Sequence, residues 1–138
     1  MFNIEEWLPF LLAKTYQHTL TLMRSALDEF KLTPPQFVTL AFLWRRDGIN
    51  QQELGTLMNV DRTTISGLLE RLERLELVQR GQDPRDRRSW VIFVTKKGKA
   101  LKEKLLPKLD RVSKEISRTL TLKEQETLIK LLNKIRLA

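Results

Sequence analysis

Cysteine is absent from the 138 residues, and histidine occurs once, as His18. Without thiols there is no disulfide framework, no redox switch and no cysteine metal site. The five glycines form no phosphate-cradling loop, and neither HExxH nor GxSxG occurs. His18, in TYQHTL, has no acid or nucleophile near it in sequence, which points to a surface or pocket-lining residue. Catalysis is therefore set aside, and no cofactor or metal is expected. Long apolar runs are missing too: the longest early one, WLPFLLA, is far too short to span a bilayer. The opening MFNIEE is acidic where a secretion signal would be basic. Together these absences lead to the expectation of a soluble protein in the reducing cytoplasm.

Positive charge is what the chain has in excess. Lys and Arg number 25 against 17 Asp and Glu, a formal charge of +8, and 41% of residues are hydrophobic. That is one domain's worth of chain with a real core, not a disordered basic tail. The balance favours a polyanion as partner, nucleic acid first and an anionic membrane surface second.

Along the chain, Leu8, Leu12, Tyr16, Leu20, Met23, Leu27 and Phe30 recur at gaps of three and four, one stripe on a long helix over about 4–30. Asn3 and Glu6 have capping-box spacing, which would put Pro9 inside the helix; either the helix starts near Pro9 after a separate turn, or it kinks there. Thr33, Pro34 and Gln36 spell N-cap, first position and capping box for a second helix, apolar on nearly every side and stopped by Gly48. Asn50 with Glu53 repeats the box and starts a short helix, QQELGTLM. Asn59 and Val60 turn the chain, and Asp61 caps RTTISGLLERLERLE. Two helices joined by such a turn make a helix-turn-helix.

In the helix after the turn, Ile65, Leu68, Leu69, Leu72 and Leu75 share a face. Opposite them stand Thr63, Ser66, Gly67, Glu70 and Arg74. Short hydroxyls and a glycine suit a helix that reaches base edges from inside a major groove. LVQRG and WVIFVT then read as strands flanking QDPRDRRSW, a loop that sets Arg85, Arg87 and Arg88 against Asp83 and Asp86. Such a loop is either a solvated turn or a finger for a nucleic-acid groove. Its position beside a helix-turn-helix favours the finger: the hairpin becomes the wing of a winged helix, and a planar arginine suits the negative potential of a narrow minor groove. The loop is expected to project, with its aspartates holding the guanidiniums.

Thr95 caps a further long helix, KKGKALKEKLLPKLDRVSKEISRTL, bent at Pro107, and Thr121 with Glu124 boxes a last one. Both carry apolar stripes too long for a small winged domain. Pairing the first helix with the last two across a two-fold axis would bury them and would suit a palindromic DNA site; an intramolecular bundle is the alternative. The fold expected is mainly α with a small β-hairpin wing, a single domain over 1–138. Residues 33–98 form its winged helix-turn-helix, and 1–32 with 99–138 its helical dimerisation region.

The stretch from LTPPQF through the wing, with Asp86, Arg88, Thr95 and Gly98 as its most specific residues, resembles the MarR family of bacterial transcriptional regulators. The resemblance implies a homodimer that binds palindromic double-stranded DNA, usually as a repressor, and that in many members is released by a small phenolic or lipophilic effector. It puts Thr63, Thr64, Ser66 and Gly67 in the major groove and Arg62 at a phosphate or base edge. Arg88, with Arg87, falls in the minor groove, and Asp86 orients the wing. Gly67 departs from the longer, often basic residue common there. The lack of cysteine excludes the thiol-oxidation branch, whereas Tyr16, His18 and Trp44 are candidates to line an effector pocket. Two rival functions remain: a winged helix docking an acidic protein, and a basic protein lying on anionic membrane. Neither needs hydroxyls on the recognition face.

Overall fold

A computed structural model describes the whole chain, Met1–Ala138. The expected first helix is three pieces. Asn3 accepts the Glu5 N–H (3.0 Å) to cap a 3-10 turn, Ile4–Glu6, so the box with Glu6 does not form. Helix α1, Leu8–Leu27, then starts with Pro9 in its first turn, where a missing N–H removes no intrahelical bond. A second 3-10 turn, Asp28–Phe30, closes on Lys31 at φ 57°. The separate-turn alternative at Pro9 is the one the chain adopts.

Helix α2, Pro34–Arg45, has the full Thr33/Gln36 box, and none of its residues from Gln36 to Trp44 is exposed. It ends three residues before Gly48, which at φ 80° turns the chain into a strand and does not cap the helix. That strand, β1 (Ile49–Asn50), has no counterpart in the sequence expectations. Helix α3, Gln51–Met58, is capped by the Asn50 side chain, accepting from Gln52 (2.8 Å) and Glu53 (3.4 Å). The expected return bond from Glu53 is missing because its carboxylate pairs with Arg46 at 3.3 Å. Asn59, at φ 55°, makes the turn, and Asp61 accepts the Thr64 N–H (2.7 Å) to open α4, Arg62–Arg74.

Strands β2 (Val78–Asp83) and β3 (Asp86–Val94) form the hairpin, and β1 adds to its other side, in the antiparallel order β1-β3-β2. The expected long loop over 82–90 is corrected here. Regular pairing runs to Gln82 and Trp90, the register shifts across Arg87–Ser89, and one further pair, Asp83 with Asp86, closes on Pro84 and Arg85 as the turn. The outer residues of the ribbon, Gln82 to Ser89, are all polar apart from Pro84, so no apolar alternation reveals that the strands extend this far. The hairpin itself projects, not a loop.

Helix α5, Lys96–Ile116, is capped by the Thr95 hydroxyl (Gly98 N–H, 3.1 Å) and contains Pro107; it stops four residues before the expected Leu120. Its first turn crosses the hairpin base so closely that a Cβ on Gly98 would lie 2.3 Å from the Leu77 carbonyl oxygen. Helix α6, Leu122–Arg136, has its Thr121/Glu124 box. The core gathers Leu40, Leu43, Leu54, Leu69, Leu72 and Ile92, all at 0% exposure. Each such side chain contributes about 1.5–3 kcal/mol on burial. Because they come from α2, α3, α4 and β3, they fix the recognition helix and the hairpin relative to each other. No helix is long and apolar enough to cross a membrane.

Candidate nucleic-acid interface

Helix α4 stands as a wall between two clefts. Ile65, Leu69 and Leu72 turn inward and are buried, which leaves the opposite side of the helix free. On one side Arg62, Thr63, Ser66, Gly67 and Glu70 line an open cleft of about 1050 Å³, whose far wall is Arg88, Ser89 and Trp90 of β3. The structure thus brings five of the sequence candidates to one concave surface: Arg62, Thr63, Ser66, Gly67 and Arg88. Glu70, the one acid on that wall of α4, pairs with Arg74 at 3.0 Å. Nothing lies within 4 Å of a Cβ built on Gly67, so the glycine keeps this wall low without being required by packing. Thr64 faces elsewhere: its N–H is held by Asp61, and its side chain lines the second cleft. The Thr64 backbone N–H, and then its hydroxyl, hold the Asp61 carboxyl below the usual carboxylate value.

At the wing, Arg88 is the arginine that meets the cleft; Arg85 and Arg87 lie farther out and are exposed. Asp86 accepts the Arg88 backbone N–H (3.0 Å), and the Arg88 Nε lies 3.6 Å from the same oxygen. The side chain is nonetheless 93% exposed, free to turn from Asp86 to a phosphate-lined groove. Asp83 has a different part. Only 3% exposed, it accepts the Arg85 backbone N–H (2.9 Å) and the Asn50 amide (2.9 Å). Those two bonds, the Arg85 N–H first, hold its carboxyl below the usual value. Since Asn50 also caps α3, one amide joins the first helix of the helix-turn-helix to the turn of the wing. Midway along the hairpin, Arg80 makes a second tie, to Glu73 of α4 at 2.6 Å.

Sequence reasoning missed Trp90 as part of this surface and Asn50 as the tie behind it. The signal for Trp90 was present: it stands two residues after Arg88 at the start of the regularly paired part of β3, and all of Arg88, Ser89 and Trp90 line the cleft. For Asn50 there was none, because its partner is 33 residues away.

The second cleft, about 590 Å³, lies between α1, the start of α2 and the back of α4. Tyr16 lines it, together with Arg24, Gln36 and Arg71. His18 and Trp44 do not: His18 is exposed on α1, and Trp44 donates its indole N–H to the Gly98 carbonyl (3.0 Å) and packs edge-on to Phe37. Trp44 locks α2 to α5.

A three-stranded hairpin sheet beside a helix-turn-helix, with the second helix and the hairpin facing one cleft, defines a winged helix-turn-helix protein. Comparison with known proteins narrows the class. The MarR family pattern matches residues 32–90. The chain is 36% identical to the HTH-type transcriptional repressor NicR of Pseudomonas putida, over 97% of this chain and 85% of that one. Among solved structures, Bordetella bronchiseptica BpsR, whose DNA binding is regulated by 6-hydroxynicotinic acid, superposes with a TM-score of 0.93 at 27% identity, covering 100% of this chain and 99% of that chain. A mutant of Escherichia coli MarR, complexed with operator DNA, gives 0.87 at 26% identity, covering 98% and 99%. The chain belongs to the MarR family of transcriptional regulators, which are not enzymes.

Proposed function

We propose that the protein is a dimeric repressor that binds a palindromic operator, with α4 of each subunit in a major groove and the wing's Arg88 in the adjacent minor groove. The observation that carries this reading is the first cleft, where small hydroxyls on α4 face an exposed arginine of the wing across one open surface. Arg62 and Arg88 supply charge there; Thr63 and Ser66 supply short donors and acceptors that reach base edges. An acidic protein partner would use the charge but not the hydroxyls. The dimer reading is supported by the terminal helices, which leave Leu8, Leu12, Leu128, Leu131 and Ile135 exposed. A two-fold axis through them sets two recognition helices for two half-sites.

The test is a fluorescence-anisotropy titration of duplex from upstream of the protein's own gene against a scrambled duplex. Preference for the natural duplex is expected, with log K falling by roughly 0.9 per phosphate against log salt. Arg88→Ala is expected to cost about 1–3 kcal/mol of binding without lowering the melting temperature, and Ser66→Ala to relax sequence preference. Equal binding of both duplexes and wild-type affinity in Arg88→Ala would overturn the reading.

A specific observation also supports effector control at the second cleft. Arg24 and Arg71 beside Tyr16, against the single acid Asp28, form a net basic, aromatic-edged site that suits a small aromatic acid. Regulation of BpsR by 6-hydroxynicotinic acid makes that compound the first to try. It is expected to release DNA from the wild type but not from Arg24→Ala.

A further inference from the structure

We infer that Trp90 is a DNA-contact residue, seated on the sugar–phosphate strand that runs between the recognition helix and the wing. The inference rests on the groove-binding reading of α4 and Arg88. Trp90 is 48% exposed, although Val91 and Ile92 next to it are buried. An indole left half in water forgoes apolar burial, at about 25 cal/mol for each Å². It is also held in place. The Arg80 guanidinium lies 5.6 Å from the ring centroid, and Arg80 is pinned to Glu73 of α4 at 2.6 Å. The recognition helix therefore sets the position of the ring.

Where the ring stands decides what it meets. On β3 it lies between Arg88, toward the wing's tip, and Ile92, in the core, and it lines the first cleft with Thr63 and Ser66. In a duplex, a major groove and the neighbouring minor groove are separated by one sugar–phosphate strand. A protein with a helix in one and a hairpin in the other must straddle that strand, and a side chain in the cleft between them faces it. Trp90 offers an apolar ring to a deoxyribose and an Nε1–H donor to a phosphate oxygen. A neutral donor displaces no counterion, and a backbone contact carries no base identity.

These properties make the contact distinguishable from the arginines. Wild type, Trp90→Phe and Trp90→Ala are titrated with the upstream duplex and with scrambled duplex over a range of salt, with tryptophan fluorescence and thermal melts recorded. Trp90→Ala should weaken binding to both duplexes about tenfold, with the salt slope unchanged, and Trp90→Phe by about threefold. DNA should quench wild-type fluorescence and lose most of that effect on Trp90→Phe, while melting temperatures stay level. Wild-type affinity in Trp90→Ala overturns the inference and leaves the groove reading standing. So does a quench that persists undiminished in Trp90→Phe, or a weakening tracked by a matching drop in melting temperature. Failure of the wild type to bind either duplex overturns both.

Discussion

The central segment, residues 33–98, and the terminal segments that flank it treat their apolar residues in opposite ways. Twelve of the fifteen buried hydrophobic residues belong to the centre, while sixteen of the nineteen exposed large ones belong to the ends. Helix α4 in the centre and α5 and α6 at the ends carry similarly regular stripes. The difference is that α2, α3, α4 and the hairpin supply one another's missing walls, whereas much of the apolar surface of α1, α5 and α6 has no wall within the chain. Burial within the chain makes the centre a single packed body; the unburied stripes are the surface that the proposed second copy would cover.

The contrast is broken most severely by charging the ends. Leu131→Glu, or Leu12→Glu as an independent probe, should convert a particle of about twice 16.3 kDa into one of 16.3 kDa by sedimentation equilibrium. Loss of the second half-site should then weaken palindrome binding about a hundredfold or more. A wild-type monomer at micromolar concentration would remove the dimer reading. The centre should fail differently. Gly98→Ala drives a Cβ into the Leu77 carbonyl and the Val94 side chain, and is expected to cost about 3 kcal/mol or more by denaturant titration.

A smaller effect sharpens the comparison inside the reading head. Asn50→Ala removes the α3 cap, worth about 1 kcal/mol, and takes from Asp83 one of its two hydrogen bonds, leaving the Arg85 N–H. DNA affinity should fall by more than the same loss of stability produces elsewhere, because the wing is loosened. The effect depends on pH in a set direction. Because Asp83 titrates below its ordinary 3.8 in the folded chain, its contribution is complete above that value and is lost as pH falls through the lowered one. The stability gap between wild type and Asn50→Ala should therefore hold at pH 7 and narrow below pH 3.8; a gap that widened in acid would contradict the latch. The smallest change runs the other way. Gly67→Ala should stabilise α4 by up to about 1 kcal/mol, since nothing blocks the methyl. It should nevertheless weaken operator binding by raising the wall toward the bases.

What the sequence disclosed follows the range of the interactions. The boxes at Thr33 and Thr121, and the caps at Asp61 and Thr95, were legible because donor and acceptor sit within three residues. The inner face of α4 was legible because its period is local. β1 was not: two residues become a strand only by pairing with Val91 and Ile92. The wing was read as a loop because its outer residues are polar, and Glu53 was misassigned because Arg46, just past the end of the preceding helix, competes for it. At the proposed site, Arg62, Thr63, Ser66, Gly67 and Arg88, named from residue type, element order and the family resemblance, share one cleft. The Asn50–Asp83 tie and the Arg80–Trp90 stack needed three dimensions.

Helix α4 forms a wall of both clefts, with Thr63 and Gly67 lining each, so the proposed effector and operator sites would need no relay between them. Under the proposed effector control, a ligand in the rear cleft would press on the very helix proposed to meet DNA with its other side, and the two occupancies would be linked through one body. Linkage is reciprocal: whatever factor the ligand takes from operator affinity, the operator takes from ligand affinity. In a cell, a regulator parked on its operator would then be the population least sensitive to the signal, and free protein would capture the molecule first.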